Sequence, residues 1–107
     1  MPASLTLDTA RHDGKPVLIA VGEIDLSNIE AFTHALTTAL ADTAGGDGMI
    51  TVDLSAVEYL DSAAINALFN HAEHIRVIAH PLMMRVFTIS GLTELATVEP
   101  APPQAEG

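Results

Sequence analysis

The sequence contains no cysteine, which excludes a disulfide framework, a thiolate nucleophile and thiol redox chemistry, and fits a reducing compartment. Basic residues are almost as scarce: Arg11, Lys15, Arg76 and Arg85 stand against 14 acidic residues, for a formal net charge of −10. These four cations are scattered along the chain, so no basic surface forms to neutralise phosphates, and no nucleic acid is expected as a partner. Such a negative field favours instead a partner that is basic at its contact face. Long apolar runs are missing too, since none reaches the roughly 18 residues of a membrane helix. The opening stretch MPASLTLDTARHDGK has acids early and no apolar core, so it does not read as a signal peptide. Together these absences predict a cytoplasmic protein with no direct membrane insertion.

What remains is a chain of 107 residues, 49% hydrophobic, which fits one globular domain and not two. Residues 4–10 alternate, with Leu5 and Leu7 on one side and Thr6 and Asp8 on the other, and RHDGK follows with turn chemistry, so a hairpin is expected. Residues 17–21, VLIAV, read as an inner strand covered on both faces and ended by Gly22. From Ile29 the apolar positions become Ile29, Phe32, Leu36 and Leu40, an amphipathic helix that Ser27 and Glu30 would open with a capping box. The glycines of AGGDG suit its stop and a linker. Residues 49–54 read as the next buried strand. Ile65, Leu68, Phe69 and Ala72 then follow a helical period, with Asp61 or Ser62 as N-cap.

IRVIA (75–79) is a further strand, and Pro81 opens a third helix whose apolar positions are Leu82, Met83, Val86 and Phe87. ELATV offers a last strand. The remainder, EPAPPQAEG, carries three prolines and no core formers, so residues 1–98 are expected to form the domain and 99–107 a disordered Pro-rich tail. The order implies an α/β domain: a single mixed sheet with amphipathic helices packed on it. Functional groups of such sheets gather outside the carboxyl ends of the strands. Gly22-Glu23-Ile24-Asp25 and Leu60-Asp61-Ser62 should therefore meet at one edge.

Within YLDSAAINALF, Ser62 has two readings. One is a plain helix cap. The other is phosphorylation, because a phosphate at a helix N-terminus meets free N–H groups and the positive end of the helix dipole, while repulsion from Asp25 and Asp61 would change what can dock. Catalysis by Ser62 has no support: no glycine-flanked elbow surrounds it and no histidine is placed as its base. Asp25 and Asp61 resemble a carboxylate pair, but turn aspartates cap helices far more often than they do acid–base work. His71 and His74, three apart in HAEH, could share a metal with Glu73 or His80. With no second ligand pair they read as a solvated helix end, so neither metal nor cofactor is implied.

VGEIDLSNIEAFTHAL, VDLSAVEYLDSAAINAL and RVFTISGL, in that order, resemble the three signature segments of the STAS domain, in particular the bacterial anti-sigma factor antagonists. The resemblance covers nearly the whole chain apart from the tail. It implies a cytoplasmic switch that is not an enzyme. In its unphosphorylated form such an antagonist binds an anti-sigma factor, a serine kinase of the GHKL type, and frees the sigma factor. Phosphorylation breaks that contact and a PP2C-type phosphatase restores it. Position by position, Ser62 matches the phosphoacceptor, Asp61 the aspartate before it, and Asp25 the acid of the second-strand turn. Glu23, Ser27, Asn28 and Ile65 complete the expected partner-binding set. The family usually writes Asp-Ser-Ser/Thr-Gly where this chain has Ala63 and Ala64, and a methyl at Ala64 would stand where a partner's backbone approaches. That departure favours an alternative of another class: a STAS adaptor subunit, not phosphorylated, bound to an ATPase of the lipid ABC transporter type, or a scaffold.

Overall fold

A computed structural model describes residues 4–12, 14–43 and 48–101. Strands β1 (Leu5–His12) and β2 (Lys15–Ile24) form an antiparallel hairpin, with Leu5 opposite Gly22 and His12 opposite Lys15. Helix α1 (Ile29–Ala41), strand β3 (Ile50–Leu60), helix α2 (Ser62–Asn70), strand β4 (Ile75–Ala79), helix α3 (Met84–Ser90) and strand β5 (Thr97–Pro100) follow. Short 3-10 turns at Ala72–His74, Pro81–Met83 and Leu92–Glu94 join the later elements. The sheet order is β1-β2-β3-β4-β5, and all pairs after the hairpin are parallel.

That order has a consequence for layering. Strands β2 to β5 advance in one direction across the sheet, and a right-handed crossover puts each connecting helix on the same side. Burial accordingly alternates along β2, where Leu18 and Ala20 are fully buried while Val17 and Ile19 are only half-covered. The same holds for β4, with Val77 buried and Arg76 exposed. An inner strand covered on both faces was expected at 17–21; a one-sided helical layer leaves its second face open instead.

Phe32 and Leu36 of α1, Ala64 and Leu68 of α2, and Phe87 of α3 join the buried sheet residues in one core. Each large side chain there contributes roughly 1.5–3 kcal/mol through removal from water.

Four local expectations are corrected. Gly22 does not end β2, which runs on to Ile24. At φ +114° Gly22 instead lets β1 pass close by, with Glu23 N–H donating to the Ser4 carbonyl at 2.9 Å. Strand β3 continues six residues beyond Leu54, through two register shifts against β2. The third helical segment begins as a 3-10 turn and buries Phe87, but leaves Leu82 and Val86 exposed. Strand β5 takes in Glu99 and Pro100, and Glu99 pairs with Arg76 at 2.6 Å, so the ordered domain reaches into the stretch expected as tail. Residues 102–107 and most of AGGDG lie outside the described residues.

A Cβ on Gly22 would be built against the Ser4 carbonyl oxygen, in a backbone region that L side chains rarely adopt. Gly22→Ala should therefore lower stability by more than about 2 kcal/mol, or roughly 10 °C in thermal midpoint. Gly14→Ala, also at positive φ but with nothing within 4 Å, should lose only about 1 kcal/mol. Thermal denaturation checks the contrast; equal losses would mean that β1 does not approach Gly22 in solution.

Candidate functional site

The carboxyl ends of β2 and β3 pair to their last residues, Ile24 opposite Leu60, both buried. The chain leaves the sheet there twice, into α1 and into α2. The two turns are joined through Asp61. Its backbone N–H donates to the Ile24 carbonyl at 3.2 Å. Its Oδ2 accepts from Leu26 N–H at 3.1 Å across the gap, while Oδ1 accepts from Ala63 N–H at 2.9 Å and Ala64 N–H at 3.2 Å. Asp61 has extended backbone (φ −103°, ψ −172°) and is the N-cap of α2. A carboxylate suits that position because it accepts several N–H donors at once beside the positive helix end.

Ser62 is the first helical residue, and its side chain is exposed. Its hydroxyl has no hydrogen-bond partner among the described residues. The capping role is therefore taken by Asp61, and the plain-cap reading of Ser62 falls away. The donors at Ala63 and Ala64 are already used, so they are not free for a phosphate on Ser62, contrary to the expectation from helix-end chemistry. A group added there would point to solvent.

The first turn is held from within. Asn28 accepts from Asp25 N–H at 3.0 Å and donates to the Glu23 carbonyl at 3.0 Å. Asp25 Oδ1 accepts from Ser27 N–H at 2.9 Å and from the Ser27 hydroxyl. Ser27 thus serves Asp25, and the expected capping box with Glu30 is absent: α1 starts after Asn28 with no side-chain cap. Asn28 and Ser27 are struts of the turn. Glu23 is exposed and Asp25 half-buried, whereas Ile65 packs partly against the core.

Sequence reasoning missed Leu26, which is 76% exposed between Asp25 and Ser27 while its N–H is pinned by Asp61. An apolar residue inside an acidic turn was the signal. Ala64 is fully buried, so its methyl faces the core and presents no obstacle to a partner. His71 ends α2 and His74 closes the 3-10 turn after it. Among the described residues no group of three or more His, Cys, Asp or Glu side chains could hold a metal ion. No helix among them is long and apolar enough to cross a membrane.

These roles separate in stability. Asp61→Ala removes three accepted bonds and should lower stability by about 2 kcal/mol, while Ser62→Ala should change it by less than about 0.5 kcal/mol. Urea denaturation of both variants measures this; a large loss in Ser62→Ala would return the cap to the serine.

Comparison with known proteins agrees with this geometry. Residues 7–98 match a family model described as "Mlab, STAS domain". The anti-sigma-F factor antagonist RsfB of Mycobacterium tuberculosis is 38% identical over 74 residues, which are 69% of this chain and 58% of RsfB. The match thus spans less than two thirds of that relative. The crystal structure of an anti-sigma factor antagonist from Mycobacterium paratuberculosis superposes with a TM-score of 0.81 at 30% identity, covering 92% of this chain and 87% of that one. The anti-sigma factor antagonist SpoIIAA in its unphosphorylated form shares the fold, with a TM-score of 0.67 at 18% identity over 94% of this chain and 90% of that one. A single mixed sheet with three helices on one side, an aspartate-clamped pair of turns and a family match over residues 7–98 lead to one conclusion: the chain belongs to the STAS domain family.

Proposed function

We propose that the protein is an anti-sigma factor antagonist, a cytoplasmic binding protein and not an enzyme, that docks on an anti-sigma factor and thereby frees a sigma factor. The observation that carries this reading is the exposed Ser62 hydroxyl, without a partner among the described residues, on a turn whose backbone donors Asp61 already satisfies. Leu26 is the apolar anchor beside it, and Glu23, Asp25 and Asp61 supply the acidic rim that a basic partner face complements.

The partner is a GHKL-type serine kinase. The γ-phosphoryl group of ATP passes to Ser62 Oγ, ADP leaves and the hydroxyl proton is lost. The product carries about −1.5 to −2 extra charge. With the Ala63 and Ala64 donors occupied by Asp61, that charge faces the partner, so docking weakens while the fold persists. Hydrolysis by a PP2C-type phosphatase returns the binding form.

A second reading, a STAS adaptor held constitutively on an ATPase, keeps two observations. The matching family model carries the name Mlab, not an antagonist's. Ala63, half-buried, also lacks the hydroxyl that the antagonist signature places after the serine. Burial of Ala64 removes the third argument for it.

Two measurements separate these readings. Incubated with its anti-sigma kinase and ATP and weighed intact, the protein should gain one phosphate, and Ser62→Ala none. Ser62→Asp should bind that kinase at least about tenfold more weakly, and Ser62→Ala as tightly as the parent. Unchanged binding in Ser62→Asp, with no mass gained, assigns the adaptor role. Ala64→Gly should leave the phosphorylation rate unaltered and lower stability by about 1 kcal/mol, as glycine does within a helix.

A further inference from the structure

The open side of the sheet carries a feature that the Ser62 turn does not use. Between Leu54 and Leu60, regular alternation would turn three side chains away from the helices. The two register shifts in β3 change this: Val57 is buried, while Ser55 and Ala56 before it and Glu58 and Tyr59 after it all face outward. Bulges of this kind re-aim side chains, and they concentrate next to functional surfaces.

Opposite Ala56 stands Val21 on β2, 44% exposed, and the Pro81–Met83 turn brings Leu82, 83% exposed, to the other side. Together they wall a hollow of about 490 Å³ with Val57 and Met83 among its lining. Beyond Leu82, α3 exposes two further apolar side chains, Val86 (38%) and Ile89 (79%). Single exposed hydrophobic residues are ordinary on a protein surface, but several exposed apolar side chains walling one hollow are not. No lysine or arginine lines the hollow; Glu58 and His80 do, with the imidazole's Nδ1 already accepting from Leu82 N–H. The whole chain adds a net charge of −10.

We propose that this groove docks a basic amphipathic helix of a partner protein, at a contact separate from Ser62. The apolar face of such a helix fills the space between Val21, Ala56 and Leu82, and its cations meet Glu58. The proposal goes beyond the Ser62 switch and does not rest on it.

The test uses the full chain and a synthetic helix with leucine on one face and lysine on the other, followed by NMR titration. Two control helices carry serine for leucine or glutamate for lysine. The Leu/Lys helix should shift the resonances of Val21, Ala56 and Leu82. Its affinity should fall about tenfold in Leu82→Ser combined with Val21→Thr, two exposed positions whose replacement leaves net charge and fold intact, and should be unaltered in Ser62→Asp. Both control helices should bind at least about tenfold more weakly. Failure of the Leu/Lys helix to bind, equal binding by the serine control, or shifts confined to Asp25 and Leu26 would each overturn the proposal. So would equal affinity for the double variant or loss of affinity in Ser62→Asp.

Discussion

One carboxylate sets the conditions for everything at the functional edge. Asp61 accepts Ala63 and Ala64 N–H with one oxygen and Leu26 N–H with the other. A helix start and a neighbouring strand exit are thereby locked to each other. An ionised carboxylate can accept about four hydrogen bonds, so three backbone donors leave it within its capacity. A serine at the same place offers one small oxygen and could not span both turns. The division of labour follows: the aspartate takes the structural bonds, and the serine one position later is released from them.

The layering supports that edge. Because β2 to β5 advance in one direction, the helices share one face, and among the described strands no reversal of order opens a crevice of the kind that holds a dinucleotide. What the fold presents is a rim of turns rooted in buried residues, Ile24 and Leu60 under one turn pair and Ala64 and Leu68 under the helix that starts at Ser62. A rim anchored in this way suits recognition of another protein's surface, where hot spots are a few well-supported side chains. Leu26 has that character: an exposed side chain on a backbone held by Asp61.

The sequence was legible where period and burial agree. Phe32 and Leu36 follow the helical period and are fully buried, and IRVIA alternates and packs on one face. It misled where apolar spacing serves a surface, as at Leu82 and Val86, since periodicity does not say which side of a helix meets the core. It also misled in β3, where two bulges broke the alternation that would have marked Ser55 to Leu60 as strand. At the site, Asp25, Asp61 and Ser62 were visible as a pair of turns. The choice of cap between Asp61 and Ser62 was not, because both residue types cap well and only the extended backbone at Asp61 decides. Ser27 and Glu30 matched a capping box that Asn28 displaced, because its side chain bridges Asp25 and Glu23.

Charge reaches only so far, and this separates the turn from the open face. At physiological ionic strength the screening length is about 8 Å. Ser62 lies four residues beyond Glu58 along the chain, a span of at most roughly 13 Å. A phosphate on Ser62 would therefore act most strongly on contacts at Leu26, Asp25 and Asp61, which belong to its own pair of turns, and less on apolar contacts between Val21 and Leu82. On the proposed reading, a partner that touches the turn alone would be released by modification. One that also fills the groove keeps its apolar contacts, whose strength depends on buried area and not on the charge at Ser62. The same small chain would thus hold one contact that switches and one that does not, because the groove contact is carried by apolar area and not by the charge at Ser62.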